Sequence, residues 1–92
     1  MPQLLRIGSY VVYFWSNEGR PLEPIHVHVI EGRASANATK LWITSAGKVV
    51  VCSNESQIPN KLLRRIARLI EANSEEIVAA WVDHFGDVSY YC

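Results

Sequence analysis

The segment His26-Val27-His28 sets two imidazoles at alternate positions of an apolar stretch. In an extended strand, residues two apart point the same way with their backbones about 6.6 Å apart. Both rings could then reach one metal ion or one phosphate, or act as acid and base, since imidazole titrates near neutrality. A catalytic metal site normally takes a third protein ligand. Glu18, Glu31, His84 and Cys52 are the candidates, and spacing selects none of them. The plainer alternative is that both imidazoles sit on a partly solvated sheet face and hydrogen-bond like other polar residues. The histidine-triad nucleotide hydrolases are excluded, because Ile30 stands where their third histidine would be.

A second group is Lys61, Arg64, Arg65 and Arg68, of which Lys61, Arg65 and Arg68 stack at helical spacing. Such a stripe could track a phosphate backbone. A solvated helix side is the competing reading, because Glu71, Glu75 and Glu76 follow directly. Among the aromatic residues, Tyr10, Tyr13, Phe14, Trp15, Trp42 and Trp81 read mainly as core, with room for one ring to stack on a base or line a partner site. Tyr90 and Tyr91 follow the last helix, where they add a short edge strand or expose a patch for self-association, which leaves a homodimer open.

These residues need a scaffold, and the hydrophobic period supplies it. Before Asn54 the chain reads as strands. Leu4–Ile7 and Tyr10–Trp15 flank Gly8-Ser9 as a hairpin with a two-residue turn. Both alternating sets of the second run are apolar or aromatic, as in a strand covered on two faces. A polar loop, Ser16–Pro24, leads to a strand over Ile25–Glu31, in which Ile25, Val27 and Val29 form the core face opposite His26, His28 and Ile30. A long segment from Ala34 to Thr44 follows, placing Ala38, Lys40 and Trp42 opposite Thr39, Leu41 and Ile43, and then a short strand over Lys48–Cys52. Beyond Pro59, Leu62, Leu63, Ile66, Leu69 and Ile70 recur at spacings of three and four, predicting a helix that ends near Asn73. Asn73 with Glu76 forms a capping-box pattern for a second helix, whose apolar face is Ile77, Val78, Trp81, Val82 and Phe85 and whose stop is Gly86. The expected fold class is α+β: an antiparallel meandering sheet of four to five strands followed by two helices packed on one face. One domain spans 1–86, and 87–92 is a tail or short edge strand.

The 92 residues leave no room for a second domain. Nine basic residues balance nine acidic ones, so any attraction for nucleic acid must come from a local patch. Cys52 and Cys92 form no metal-binding pair, no secretory signal is evident, and no apolar run is long enough to span a membrane. The expected location is the cytoplasm, with free thiols.

Several strings, in order, resemble one family: Met1-Pro2 with Leu5-Arg6-Ile7-Gly8, Tyr13-Phe14-Trp15-Ser16-Asn17-Glu18, His26-Val27-His28-Val29, Lys40-Leu41-Trp42-Ile43, and Trp81 to Phe85-Gly86. The chain is similar there to the small bacterial domain-of-unknown-function family four-one-six-zero. The resemblance implies a member of a two-gene pair similar to toxin-antitoxin modules, with a small partner protein encoded nearby. It also implies Asn17, Glu18, His26, His28, Lys40 and Trp42 as the positions to test. Two functional expectations result. One is an interaction module that binds a partner protein and, through that complex, RNA or DNA. The other is a small ribonuclease-like hydrolase. It would use His26 and His28 as acid-base groups or ligands of a divalent metal, Glu18 as a third member and Lys40 as an electrostatic stabiliser.

Overall fold

The structure is a computed structural model that describes residues 3–16 and 23–92. Five strands, β1 (Gln3–Ile7), β2 (Tyr10–Tyr13), β3 (His26–Glu31), β4 (Thr39–Ile43) and β5 (Val49–Ser53), precede two helices, α1 (Asn60–Ala72) and α2 (Ser74–Phe85). The sheet is an antiparallel meander in the order β1-β2-β3-β4-β5. The expected α+β architecture is therefore the observed one.

Alternation decides which face the helices cover. Val12, Val27, Val29, Leu41 and Ile43 leave the sheet on one side and meet Leu63, Ile66 and Ile70 of α1 with Ile77 and Trp81 of α2. Each such side chain contributes about 1.5–3 kcal/mol on leaving water. β2 is covered on its other face as well, where Val11 and Tyr13 cluster with Ala38 against Trp15, Ile30 and Ala34.

Four expectations need correction. The segment Ala34–Thr44 is not one strand: only Thr39–Ile43 pairs, because Ser35 before it is engaged otherwise, its Oγ accepting locally from Asn37 N–H and its carbonyl accepting from Tyr13 Oη of the distant β2. β2 ends at Tyr13, so Phe14 and Trp15 lie beyond the ladder. Leu69 and Val82 are exposed, since the helices turn a narrower stripe to the sheet than the apolar pattern spans. The capping box does not form either. Ala72 is followed at one residue's remove by Ser74, and Asn73 Nδ2 donates back to Leu69 O instead of its side chain capping α2. Pro59 at the start of α1 and left-handed Gly86 at the end of α2 stand where expected.

The turn from β5 to α1 hangs on Asn54. Its Oδ1 accepts from Ile58 N–H at 3.0 Å and from the Thr39 hydroxyl at 2.6 Å, while Nδ2 donates to Ile58 O at 2.9 Å. The single Thr39 proton is thereby committed, so Ser56 Oγ donates to Thr39 Oγ1.

Candidate binding site on the helix-free sheet face

The face turned away from the helices carries the histidine pair. His28 stands opposite Tyr13 on β2 and Lys40 on β4, and His26 opposite Trp42. Because β2 stops at Tyr13, His26 lies beyond the end of that ladder and, among the described residues, has only β4 beside it in the sheet. Trp81 of α2 reaches it there, with 5.4 Å between ring centroids, and Phe14 packs on the same indole at 5.1 Å. His26 is consequently fully buried although its strand face is the open one. Rings surround it: His28 edge-on at 5.0 Å, Trp42 at 5.6 Å and Trp81. Its Nδ1 lies 2.9 Å from Pro24 O. A carbonyl only accepts, so Nδ1 carries a proton and donates it to Pro24 O.

His28 is half-buried and stacks on Tyr13 at 5.4 Å, with Trp15 at 6.4 Å. Beside it, Lys40 Nζ sits 4.4 Å from the centre of the Trp42 ring and 3.8 Å from Glu23 Oε1. That ion pair is partly solvated and contributes little by itself. The cation over the indole face adds about 0.5–1 kcal/mol and fixes where the positive charge stands. Tyr91 covers the same indole, ring on ring at 4.9 Å and 7°. The tail is pinned on both sides of it, Ile25 N–H donating to Ser89 O at 2.8 Å and Ser45 N–H to Cys92 O at 3.0 Å.

Alternation in the sequence puts His26 with His28 on one strand and Lys40 with Trp42 on another, and the register of β3 with β4 brings the two pairs together on one surface. Asn17 and Glu18 lie outside the described residues. Lys61, Arg64, Arg65 and Arg68 gather on α1, on the other side of the sheet from Trp42. Of the suggested third ligands, Glu31 accepts from the Ser9 hydroxyl, His84 Nε2 faces Ser16 O at 3.1 Å, and Cys52 is exposed on β5. Among the described residues, no group of three His, Cys, Asp or Glu side chains is placed to hold a metal ion. Tyr91 and Glu23 were missed. The only signal for Tyr91 was the aromatic pair after the last helix, which gave no hint of Trp42.

What the fold and face define is a small α+β domain with an open sheet surface built from aromatic rings, two imidazoles and one lysine. Residues 9–82 match the family model described as Domain of unknown function (DUF4160), and the chain belongs to that family. The match includes the histidine pair, Lys40 and Trp42, and ends before Tyr91. No curated protein and no solved structure is significantly similar to the chain. Among the described residues, no helix is long and apolar enough to cross a membrane.

Proposed function

We propose that the chain is a cytoplasmic binding module whose helix-free sheet face takes single-stranded RNA, and that it acts as one member of a two-protein pair of the toxin-antitoxin kind. The observation that carries the nucleic-acid part is the layered group Lys40, Trp42 and Tyr91. A base stacks on the outer side of the Tyr91 ring, which is 62% exposed, and a phosphate takes the Lys40 ammonium held over the Trp42 ring. Stacking of this sort contributes about 1–3 kcal/mol per base and tolerates any sequence. The half-buried His28, directly opposite Lys40, adds a second donor to the same surface. The paired-protein part rests on the family resemblance.

Fluorescence anisotropy with labelled oligouridine and oligoadenine tests this reading, comparing wild type with Tyr91→Ala and Lys40→Ala. Binding that weakens with salt and falls about tenfold in either variant is expected. RNA binding that neither substitution touches would overturn it. Co-purification with a neighbouring gene's product on size-exclusion chromatography tests the pairing, and two separately eluting proteins would count against it.

A second reading, a metal-independent ribonuclease, draws on a different observation. His26 and His28 are 5.0 Å apart with Lys40 opposite His28, which is the material for an acid, a base and a charge stabiliser. Burial of His26 favours the binding reading, since a proton-transfer group must come within hydrogen-bond reach of substrate. RNA cleavage by purified wild type that disappears in His28→Ala while binding persists would reverse the preference.

A further inference from the structure

We propose that the outer edge of β5, together with the groove between it and α1, binds an extended acidic segment of a partner protein as a sixth strand. The backbone pattern is the first observation. Thr44 N–H donates to Lys48 O, whereas Ile43 N–H turns the other way to Ile25 O. With Ile43 opposite Val49 and Leu41 opposite Val51, strict alternation points the N–H and C=O groups of Val49 and Val51 out of the sheet. β5 is the last strand in the order, so among the described residues these groups form an unpaired edge.

Natural edges are usually blunted by a charge or a proline on the strand. β5 reads Val-Val-Val-Cys-Ser and has neither, and Val51 is 42% exposed. The side chains of Val49 and Val51 leave the sheet on the helix side, where an open groove runs between them and Leu63, Arg64 and Ala67 of α1. Alternate apolar side chains of an added strand fit that groove.

Charge decides the partner's chemistry. Arg64 belongs both to the groove and to the cluster with Lys61, Arg65 and Arg68. Lys61 lies in the first turn of α1, which has no acidic residue and whose N-terminal end bears partial positive charge, and Arg64, Arg65 and Arg68 follow along the helix. Among the described residues, no ion pair joins any of the four to a carboxylate. A second copy paired through β5 would bring its own basic helix toward this one, which repulsion disfavours. Nucleic acid would satisfy the cations but leave the apolar groove and the strand edge unused. A strand with carboxylates toward α1 uses all three.

The surface is distinct from that of Lys40, Trp42 and Tyr91, and its occupancy does not depend on RNA binding there. The test is amide-resolved NMR titration of the folded chain with a short synthetic peptide of alternating Glu and Val. Its Lys-Val counterpart and oligouridine serve as controls. The expected result is protection of the Val49 and Val51 amides from exchange and shifts at Leu63, Arg64 and Ala67 with the acidic peptide alone. Val51→Pro removes an outward N–H without touching the bonds to β4, and should weaken the peptide about tenfold. Arg64→Glu should do the same and keeps the fold independent of any strand defect. Shifts restricted to the arginines, with unprotected Val49 and Val51 amides, would overturn strand addition. So would equal binding of the Lys-Val peptide, tighter binding of oligouridine at α1, or no response to the acidic peptide. RNA shifts at Lys40 and Trp42 report separately on the other face.

Discussion

Tyr91 lies flat on Trp42, 4.9 Å away and 7° from parallel, so the last residues of the chain complete a surface that begins with the histidines of β3. The tail is held by two backbone hydrogen bonds, at Ile25 and Ser45, which makes this a positioned ring. An offset ring pair contributes about 0.5–1.5 kcal/mol beyond the area it buries. Tyr91→Ala should therefore lower stability by about 1 kcal/mol or less in urea unfolding. It should also red-shift tryptophan emission as Trp42 becomes wetter. Emission unchanged from wild type would mean that the ring does not cover Trp42 in solution.

The two histidines should respond very differently to truncation. His26 is fully buried among three rings and donates to Pro24 O, so His26→Ala leaves both a cavity and a carbonyl short of its donor. A loss of about 2–4 kcal/mol is expected. His28 is half-buried, and His28→Ala should cost about 1 kcal/mol or less. Denaturation midpoints of the two variants check the ranking, and equal midpoints would refute it.

Trp81 combines a large apolar gain with one polar defect. Its ring is fully buried, and Nε1 has no hydrogen-bond partner among the described residues. Leaving such a donor buried and unmet costs about 1–3 kcal/mol. Trp81→Phe removes that defect while giving up part of the packing against Phe14, Phe85 and His26. The net change should stay within about 1 kcal/mol, against about 3–5 kcal/mol for Trp81→Ala. Calorimetric melting of both proteins decides; a Phe variant as damaged as the Ala variant would show that Nε1 is satisfied.

Asn54 should be the most sensitive polar side chain of the turn into α1. Asn54→Ala strands Ile58 N–H, Ile58 O and the Thr39 hydroxyl together, with an expected loss of about 2–3 kcal/mol. Asn54→Asp keeps both acceptor roles but sets a second acceptor against Ile58 O in place of the donor, so it should lose stability as well. An Asn54→Asp variant as stable as wild type in chemical denaturation would mean that the assigned donor roles are wrong.

Within the same turn, Gln57 holds φ at 56°, a left-handed value that costs an L-residue with a long side chain about 1 kcal/mol. Gln57→Gly relieves this and loosens the unfolded chain, which takes part of the gain back. A net stabilisation of about 0.5 kcal/mol should appear as a raised unfolding midpoint. A drop in the midpoint would indicate that the Gln57 side chain contributes contacts of its own.

The parts of this protein readable from sequence are those fixed by period and local chemistry. Alternation alone separated Val27 and Val29 from His26 and His28, because a strand's side chains must take opposite faces. The same rule put Lys40 and Trp42 together, and Pro59 and Gly86 bounded the helices through their own backbone preferences. Asn73 was misread because its side chain had two local acceptor-donor options, and direct succession of the helices selected the one facing back to Leu69.

Tertiary structure decided what spacing cannot encode. Burial of His26 results from where β2 stops and from Trp81 arriving from the helix layer. Tyr91 reaches Trp42 only because the tail returns across the ends of β3 and β4. The separation of the α1 cations from Lys40 follows from the helices covering the opposite face. Sequence determined the faces of each element, since those depend on neighbours two to four residues away. Which faces meet depended on packing between elements distant in the chain, and that alone made one surface of the histidines and the last tyrosine.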